Sequence, residues 1–467
     1  MNPTLAQWLN QHVWLDGCEL ETEMLQARDE GRAVTSVEAE YQRLCSIPRP
    51  EKQRFGGGRD AQWLSDAQTF LDKVQTLPLR RDYRYIEPSN LAGIQAARPA
   101  LPALKPWRGS RAKFQEKLHG GLLGRMAGCM LGKPVEGWRD PHIRIISEET
   151  GNWPLRTYFR LPTKAEAKRI IARGSKPFSD SNPCVIPNIC CMVEDDDINY
   201  TTIGFAIVQQ KGAAFTPLDV ASFWCGHVPI LHTCTAERAA YRNFIGLVVP
   251  PASASFRNPY REWIGAQIRA DYFGYANPGN PERAADWAWR DASISHIKNG
   301  IYGEMWGAAM LAAAYVETDW VKIIRAGLAQ IPAQSRLTED IEKVLALRAK
   351  GGSYDDAVKL VHQQWDEKIG HHWCHTNSNA QIVALALLWG EDDFEQTITR
   401  AVMPGFDTDC NGATAGSVWG IVHGVKALPA KWTKPLRNRV QTGVAGYHDV
   451  KISQLAEDMT DVALKNQ

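Results

Sequence analysis

The segment that decides the fold is GGLLGRMAGCMLG, residues 120–132, in which glycine recurs every four residues. A second segment with the same spacing, GATAGSVWGIVHG, covers residues 412–424. Residues four apart share one face of an α-helix, and each helical glycine costs about 1 kcal/mol relative to alanine. Four glycines in one helix therefore require close packing in compensation. We predict that the two segments are helices that meet along their glycine ridges, with their ends near the centre of the molecule.

The composition is that of an ordinary globular protein. The 467 residues are 44% hydrophobic and 22% charged, with a formal net charge of +1. This balance gives no electrostatic reason to expect nucleic acid or an anionic membrane as a partner. No apolar run reaches the ~18 residues of a membrane helix, and the N-terminus lacks the pattern of a signal peptide. The ten cysteines form no paired CxxC framework, so we expect reduced thiols and a cytoplasmic protein.

Helical periods dominate the chain and divide it into three parts. Residues 1–76 show helical spacing and predict an N-terminal helical extension. Five prolines predict an extended connector over residues 77–109. Residues 110–467 form the main body, where strand patterns are rare and the best is LRTYFRLP, residues 155–162. Because no βα alternation repeats, the sequence predicts a mainly α, compact all-helical domain with small β or loop insertions.

Two acidic clusters each precede a helix-like segment. The first, VEDDDINYT at residues 193–201, places four consecutive carboxylates before an apolar run. A helix N-terminus explains one or two of these acids, but adjacent carboxylates repel, and a hard divalent cation relieves that repulsion. The second, GFDTDCNG, carries Asp407 and Asp409 directly before the second glycine ridge. We interpret the clusters as two halves of one carboxylate-rich metal site.

Two other segments are weaker candidates. Glu136 follows the first glycine ridge, and this position beyond a buried helix favours the same cleft, although a single glutamate is usually a surface residue. The segment GHHWCHTNSN contains the zinc-ligand types His371, His372, Cys374 and His375. These residues are too crowded for all of them to reach one tetrahedral ion easily, so packing near the cleft is the simpler interpretation.

These segments, in this order, resemble the ADP-ribosylglycohydrolase family over about two thirds of the chain. GGLLGRMAGCMLGKPVEGW resembles the family's opening helix, and its final glutamate, Glu136 here, acts in catalysis in some members. EDDDINYT is similar to a Thr-Asp-Asp metal-binding segment, with Asp195 in the threonine position and Asp196 and Asp197 as the aspartate pair. A shift of one residue would bring in Glu194 instead.

Three further segments extend the resemblance. WIGAQIRADYFGY is similar to a glycine-rich segment that contacts the ligand, with Gly265 and Arg269 among the matching positions. ASISHIKNG resembles a helix start that carries Thr-His, with Ser295 and His296 in those positions. PGFDTDCNGATAGSVWG is similar to the second metal-binding segment of the family. The residues that we assign to substrate binding are Gly265, Arg269, His296, Asn299 and Tyr302. Tyr302 is chosen as an aromatic ring suited to stack on a base, and a place in the core is the alternative for it.

The sequence departs from the family pattern at both threonine ligands. Asp195 replaces one, which makes the site more negative, and Cys410 replaces the other. Cysteine is a poor ligand for Mg²⁺, so Asn411 or a water molecule would fill that position. The segment between Glu136 and Asp195 is also longer than in compact family members. These departures suggest a substrate other than the commonest ones.

The resemblance implies a hydrolase that cleaves an ADP-ribosyl or related ribosyl glycosidic bond. It implies two Mg²⁺ ions, with Mn²⁺ as the alternative, and a small molecule or an ADP-ribosylated protein as substrate. The implied catalytic residues are Glu136 and Asp196. The implied metal ligands are Asp195, Asp196, Asp197, Asp407 and Asp409.

Three alternatives to this function stay open on the sequence. The first is hydrolysis of another glycoside, such as a nucleoside, at the same metal site. The second is a binuclear phosphoesterase, which would not need Glu136. The third is a catalytically silent protein that binds ADP-ribose or has a regulatory role, and the lost threonine ligands support it. The retained acids argue against the third alternative, because a binding-only site has less reason to keep so much charge.

Overall fold

Helices make up almost all of the regular structure in the computed structural model, which describes residues 19–47, 61–100 and 104–467. In the described ranges, three α-helices lie in the predicted N-terminal extension and a fourth lies in the connector. They are α1 (Leu20–Asp29), α2 (Glu38–Ser46), α3 (Ala61–Gln75) and α4 (Leu91–Ala97).

The main body contains the other α-helices, joined by short turns of 3₁₀-helix. They are α5 (Arg111–Gly132), α6 (Asp140–Glu149), α7 (Lys164–Ala172), α8 (Asp196–Lys211), α9 (Pro217–His227), α10 (Thr235–Ile245), α11 (Asp271–Tyr275), α12 (Pro281–Ala292), α13 (Lys298–Ala313), α14 (Trp320–Leu328), α15 (Arg336–Ala349), α16 (Tyr354–Gln364), α17 (Gly370–Cys374), α18 (Thr376–Trp389), α19 (Phe394–Val402), α20 (Thr408–His423), α21 (Ala430–Thr433) and α22 (Ile452–Lys465). One antiparallel pair of strands, β1 (Arg439–Gln441) and β2 (Asp449–Lys451), places Val440 opposite Val450. The predicted mainly α class is confirmed.

Helices α5 and α20 form the antiparallel pair at the centre of the body. A Cβ atom on Gly120, Gly124 or Gly128 would meet the backbone carbonyl of Gly420, Gly416 or Gly412, respectively, and the reverse also holds. At the end of the pair, the Thr408 hydroxyl donates a hydrogen bond of 2.9 Å to the Gly132 carbonyl. The predicted contact between glycine ridges is confirmed, and it sets the C-terminal end of α5 against the N-terminal end of α20.

Three helices are buried over almost their whole length and form the core of the body. Every residue of α18 is buried, as are all residues of α13 except Lys298 and all residues of α20 except His423. Helices that are apolar or small on every face require burial on every face. None of the helices in the described ranges has both the length and the apolar character needed to cross a membrane.

The N-terminal extension has its own small apolar core, which includes Leu20, Met24, Phe70 and Leu71. Its described residues contact the body through ion pairs and hydrogen bonds. Arg261 lies 2.6 Å from a carboxylate oxygen of Glu23 and 2.6 Å from one of Glu30. All three side chains are 2% exposed or less, so this contact is a buried ionic cluster.

One local prediction about secondary structure is wrong. LRTYFRLP forms no strand, and only an isolated bridge links Arg160 to Ile186. Within this segment the adjacent residues Tyr158 and Phe159 are both buried. It therefore lacks the alternation of buried and exposed residues that a half-buried strand requires. The described residues of the connector are mostly irregular and include the short helix α4, whose N-cap Asn90 accepts a hydrogen bond from the Gly93 amide. The helical prediction for residues 1–18 and 48–60 lies outside the described residues.

Candidate metal centre

The facing ends of α5, α8 and α20 bring six carboxylates together. Asp195, Asp196 and Asp197 each offer an oxygen within 4.8 Å of the others, and Asp407, Asp409 and Cys410 form a second such group. Glu136 lies just beyond α5 and within the electrostatic field of Asp409, Asp195 and Asp196. The glycine contact sets the end of α5 against the second cluster on α20. Arg125 and Lys133, at the same end of α5, pair with Asp197 and Asp195 and so connect the first cluster to it.

Solvent reaches two of these six acids. Glu136 is exposed and Asp196 is half-buried, whereas the other four are 5% exposed or less. The two accessible acids are the pair that we predicted as catalytic. Glu194, the alternative member of the acidic run, is exposed and contacts the His232 ring instead.

Burial and mutual repulsion shift the pKa of most of these carboxyl groups upward. Burial and the charges of Asp195 and Asp409 raise the pKa of Asp196 to about 7. Repulsion by Asp409 holds the pKa of Glu136 well above its usual value. Burial, followed by the charge of Asp409, does the same for the pKa of Asp407. So many enclosed carboxylates are electrostatically costly, and a divalent cation would offset that cost.

Asp195 differs from its neighbours because both of its carboxylate oxygens have a partner. Its side chain caps α8, accepting a hydrogen bond of 2.9 Å from the Asp197 amide. Its other oxygen lies 2.5 Å from the Lys133 ammonium. Burial opposes ionisation of Asp195, but the Lys133 ammonium and the two hydrogen bonds lower its pKa below the usual value.

Asp197 and Asp409 carry the oxygens that best fit a metal ion. Arg125 binds one oxygen of Asp197 at 3.0 Å and the Asp197 carbonyl at 2.9 Å. Within the described part of the chain, the other carboxylate oxygen of Asp197 and one of Asp409 are buried without a hydrogen-bond partner. Carboxylate oxygens are the ligands that Mg²⁺ and Mn²⁺ prefer, so the residues present fit such an ion.

Asn379 positions the second acidic cluster. Its side-chain oxygen accepts hydrogen bonds from the Asp407 amide at 3.1 Å and from the Asn411 side chain at 2.8 Å. Among the described residues, the Asn411 side-chain oxygen has no hydrogen-bond partner. Asn411 therefore stays a candidate for the position of the missing threonine ligand.

Three of the five predicted substrate-binding residues surround Glu237. A Cβ atom on Gly265 would overlap the Glu237 carboxylate, so glycine is what allows their close approach. Arg269 is fully buried and lies 2.8 Å from Glu237. The His296 ring lies 3.9 Å from the same carboxylate. Because the charge of Glu237 also acts on Asp196, this group borders the acidic cluster.

The other two predicted substrate-binding residues contact the connector instead. The Tyr302 hydroxyl donates to the Pro88 carbonyl at 2.5 Å. The Asn299 side chain donates to Glu87 at 2.8 Å and to Glu262 at 2.9 Å. Both side chains are buried in this network, so the structure does not bring them together with the acids.

A cavity of about 440 Å³ lies beside His296 and is separate from the acidic cluster. Its lining is mostly apolar and includes Trp289, Ile297 and Ile301, with Ser89 and Asn90 from the connector. This volume suits a small organic molecule. His296 thus lies between the cavity and Glu237.

The histidine segment gathers around Asp29 of the extension rather than around Cys374. His371 lies 2.9 Å from Asp29, and His375 belongs to the same group. The Nδ1 atom of His371 accepts a hydrogen bond from the Trp263 ring, and that of His375 accepts one from the Asn377 amide. A neutral ring with an accepting Nδ1 carries its proton on Nε2, which then cannot bind a metal. These hydrogen bonds therefore favour packing over a zinc site.

Sequence reasoning missed the residues that balance and position the acids. Lys133, Arg125, Glu237 and Asn379 have these roles, and none was a candidate. Lys133 had a usable signal, since it directly follows the first glycine ridge and precedes Glu136 by three positions. Arg125 interrupts a helix of small residues, which is a further signal of a buried charge.

Comparison with known proteins assigns the family. The model of the ADP-ribosylglycohydrolase family matches residues 110–467, which is more than half of the chain. A search of curated proteins finds no match. A solved structure titled "ADP-ribosylglycohydrolase-related protein complex" is similar at 15% identity and a TM-score of 0.45, covering 76% of this chain and 100% of that one. On the family match, the protein belongs to the ADP-ribosylglycohydrolase family.

Proposed function

We propose that the protein is a metal-dependent glycohydrolase that cleaves a ribosyl glycosidic bond, with ADP-ribosylated molecules as its substrate class. The observation that carries this proposal is the convergence of six carboxylates at three helix ends, with Glu136 and Asp196 open to solvent. Family membership supports hydrolysis as the reaction type. The cofactor in this proposal is Mg²⁺, or Mn²⁺, which has the same preference for oxygen ligands.

In this proposal the acids divide into those that bind the metal and one, Glu136, that transfers a proton. Asp196, Asp197, Asp407 and Asp409 would hold the metal. A bound divalent ion supplies two effects, orientation of the ribose hydroxyls and a lower pKa for a bound water molecule. Cleavage at the anomeric carbon builds positive charge on the sugar, which the surrounding carboxylates stabilise.

Glu136 is suited to move the proton. It is the most exposed of the six acids and lies on the loop after α5, so a substrate can approach it. A carboxyl group at the mouth of the cluster can take a proton from water or give one to the leaving group. The more deeply buried acids would bind the metal through their carboxylate oxygens.

The test is turnover of ADP-ribosylated protein with Mg²⁺ and after chelation. We expect turnover with Mg²⁺ and its loss with a chelator. Glu136→Gln is expected to slow turnover by about 10²-fold or more, the usual contribution of a general acid or base. Asp196→Asn removes one carboxylate from the metal site, so it is expected to weaken Mg²⁺ binding and to slow turnover as well. Glu194→Gln is the matched control, because this neighbouring acid faces His232, and it should retain wild-type turnover.

The alternatives give different products in the same assay. Cleavage of free nucleosides without cleavage of ADP-ribosylated protein would indicate another glycosidase. Release of phosphate or a phosphate monoester, unaffected by Glu136→Gln, would indicate a phosphoesterase. Binding of ADP-ribose without any turnover would indicate a silent binding protein.

A further inference from the structure

Lys133 occupies an unusual place for a lysine, inside the acidic cluster. It is the C-cap residue of α5, immediately after Gly132. A Cβ atom on Gly132 would meet the backbone at Thr408 and Asp409, so the end of α5 lies directly against the start of α20. The Lys133 side chain is 23% exposed, and its ammonium turns toward the acids instead of extending into solvent.

The ion pair with Lys133 completes the partners of Asp195. The ammonium lies 2.5 Å from one carboxylate oxygen, and the Asp197 amide donates to the other at 2.9 Å. The Asp195 side chain is 0% exposed. Both oxygens of this residue are therefore engaged by donors of the protein itself, in contrast to the free oxygens of Asp197 and Asp409.

Each acidic group therefore lacks one of the oxygen ligands that the family resemblance implies. In the first group, Asp195 is engaged by Lys133. In the second, the third member is Cys410, whose sulfur is a poor ligand for Mg²⁺ or Mn²⁺. Asp196, Asp197, Asp407 and Asp409 remain as carboxylate ligands, with the Asn411 side-chain oxygen as a neutral candidate beside the second group. The unpartnered buried oxygens of Asp197 and Asp409 belong to opposite groups. This set suits a single ion held between the two groups better than one ion in each.

We infer that the Lys133 ammonium replaces one divalent cation, so that the centre binds one metal ion instead of the two that the family resemblance implies. The inference rests on the proposed function, because it concerns the same centre. An ammonium supplies a fixed positive charge and three hydrogen-bond donors, but it does not activate water. In this protein it compensates the charge that aspartate adds at the threonine position.

The experiment counts Mn²⁺ ions on the full-length protein by electron paramagnetic resonance, in which free Mn²⁺ gives a sharp signal that is lost on binding. We expect one bound ion per chain in the wild type. Lys133→Met frees the Asp195 carboxylate and should raise the count to two, with magnetic coupling between the ions. Lys117→Met is the matched control, since Lys117 is a buried lysine of the same helix that donates to the Ile421 and Val422 carbonyls at the opposite end. It should bind one ion.

The outcomes separate this inference from the proposed function. Two ions in the wild type would overturn the inference and leave the metal-dependent function in place, whereas no bound ion would overturn both. One ion in both the wild type and Lys133→Met would also overturn it. Lys133→Gln, which retains a donor without the charge, gives a second count if Lys133→Met does not fold, and the wild-type count needs no variant.

Discussion

The contact between α5 and α20 and the contact between α1 and Arg261 hold the molecule together in opposite ways. Between α5 and α20, side chains are absent and the two backbones touch at successive glycines. Between α1 and the body, long charged side chains meet in a buried cluster of Arg261, Glu23 and Glu30. An atom added between the two backbones would disrupt the first contact, whereas removal of one charged side chain would disrupt the second.

The two contacts have different roles in the molecule. The glycine contact fixes the separation of two backbones, so it sets the distance between Glu136 and Asp409 at the candidate centre. The ionic contact offsets the cost of burying charges only while every partner is present. The metal centre therefore depends on a steric fit, and attachment of the extension depends on charge pairing.

The largest expected effect is that of Arg261→Met, which leaves Glu23 and Glu30 buried with the loss of their main partner. Removal of one member of a buried ionic cluster costs about 3–5 kcal/mol. We expect the free energy of unfolding to fall by that amount in chemical denaturation. A loss below about 1 kcal/mol would show that water reaches these carboxylates and that the cluster behaves as a surface pair.

The next largest effect tests the glycine contact. Gly128→Ala adds a single methyl group against the Gly412 carbonyl and should lower the free energy of unfolding by about 1–3 kcal/mol. Gly226→Ala is the control, because Gly226 lies in α9 and its added Cβ atom meets no atom within 4 Å. Alanine favours the helix there by up to about 1 kcal/mol, so thermal unfolding should occur at a higher temperature. The same sign of change for both variants would refute the steric explanation.

The smallest effect is expected at an ion pair that lies on the surface of the extension. Arg28 and Glu38 are 2.9 Å apart, but their side chains are 44% and 39% exposed. Pairs of this kind contribute about 0.2–1 kcal/mol and weaken with salt. Arg28→Ala should therefore change stability by no more than this, and less in high salt. An effect as large as that of Arg261→Met would mean that burial does not explain the difference between the two pairs.

The sequence predicted the steric contact well because its signal is local. Glycines four residues apart identify one face of a helix, and two such faces predict a pair. The acidic clusters were also predictable, since Asp195 to Asp197 and Asp407 to Asp409 each begin a helix. The helix pair places Glu136 beside the second cluster, whereas the first cluster lies on α8 and is connected to the pair through Arg125 and Lys133.

The ionic contacts could not be predicted because their partners are far apart in the chain. Glu23 and Arg261 are separated by 238 positions. Glu87 lies 212 positions from Asn299, whose predicted role was substrate binding. No periodicity marks such pairs, so the contacts of Asn299 and Tyr302 with the connector could not be predicted. Lys133 was missed for another reason, because a lysine after a helix is usually at the surface.

The buried cluster around Arg261 joins the N-terminal extension to the region that matches the family. The family match begins at residue 110, yet two of the carboxylates that neutralise Arg261 lie at residues 23 and 30. A polypeptide trimmed to the matched region would lack these two counter-ions of Arg261, and we expect it to be less stable than the full chain. The region that matches the family and the region that contains the counter-ions of Arg261 therefore have different boundaries in this chain.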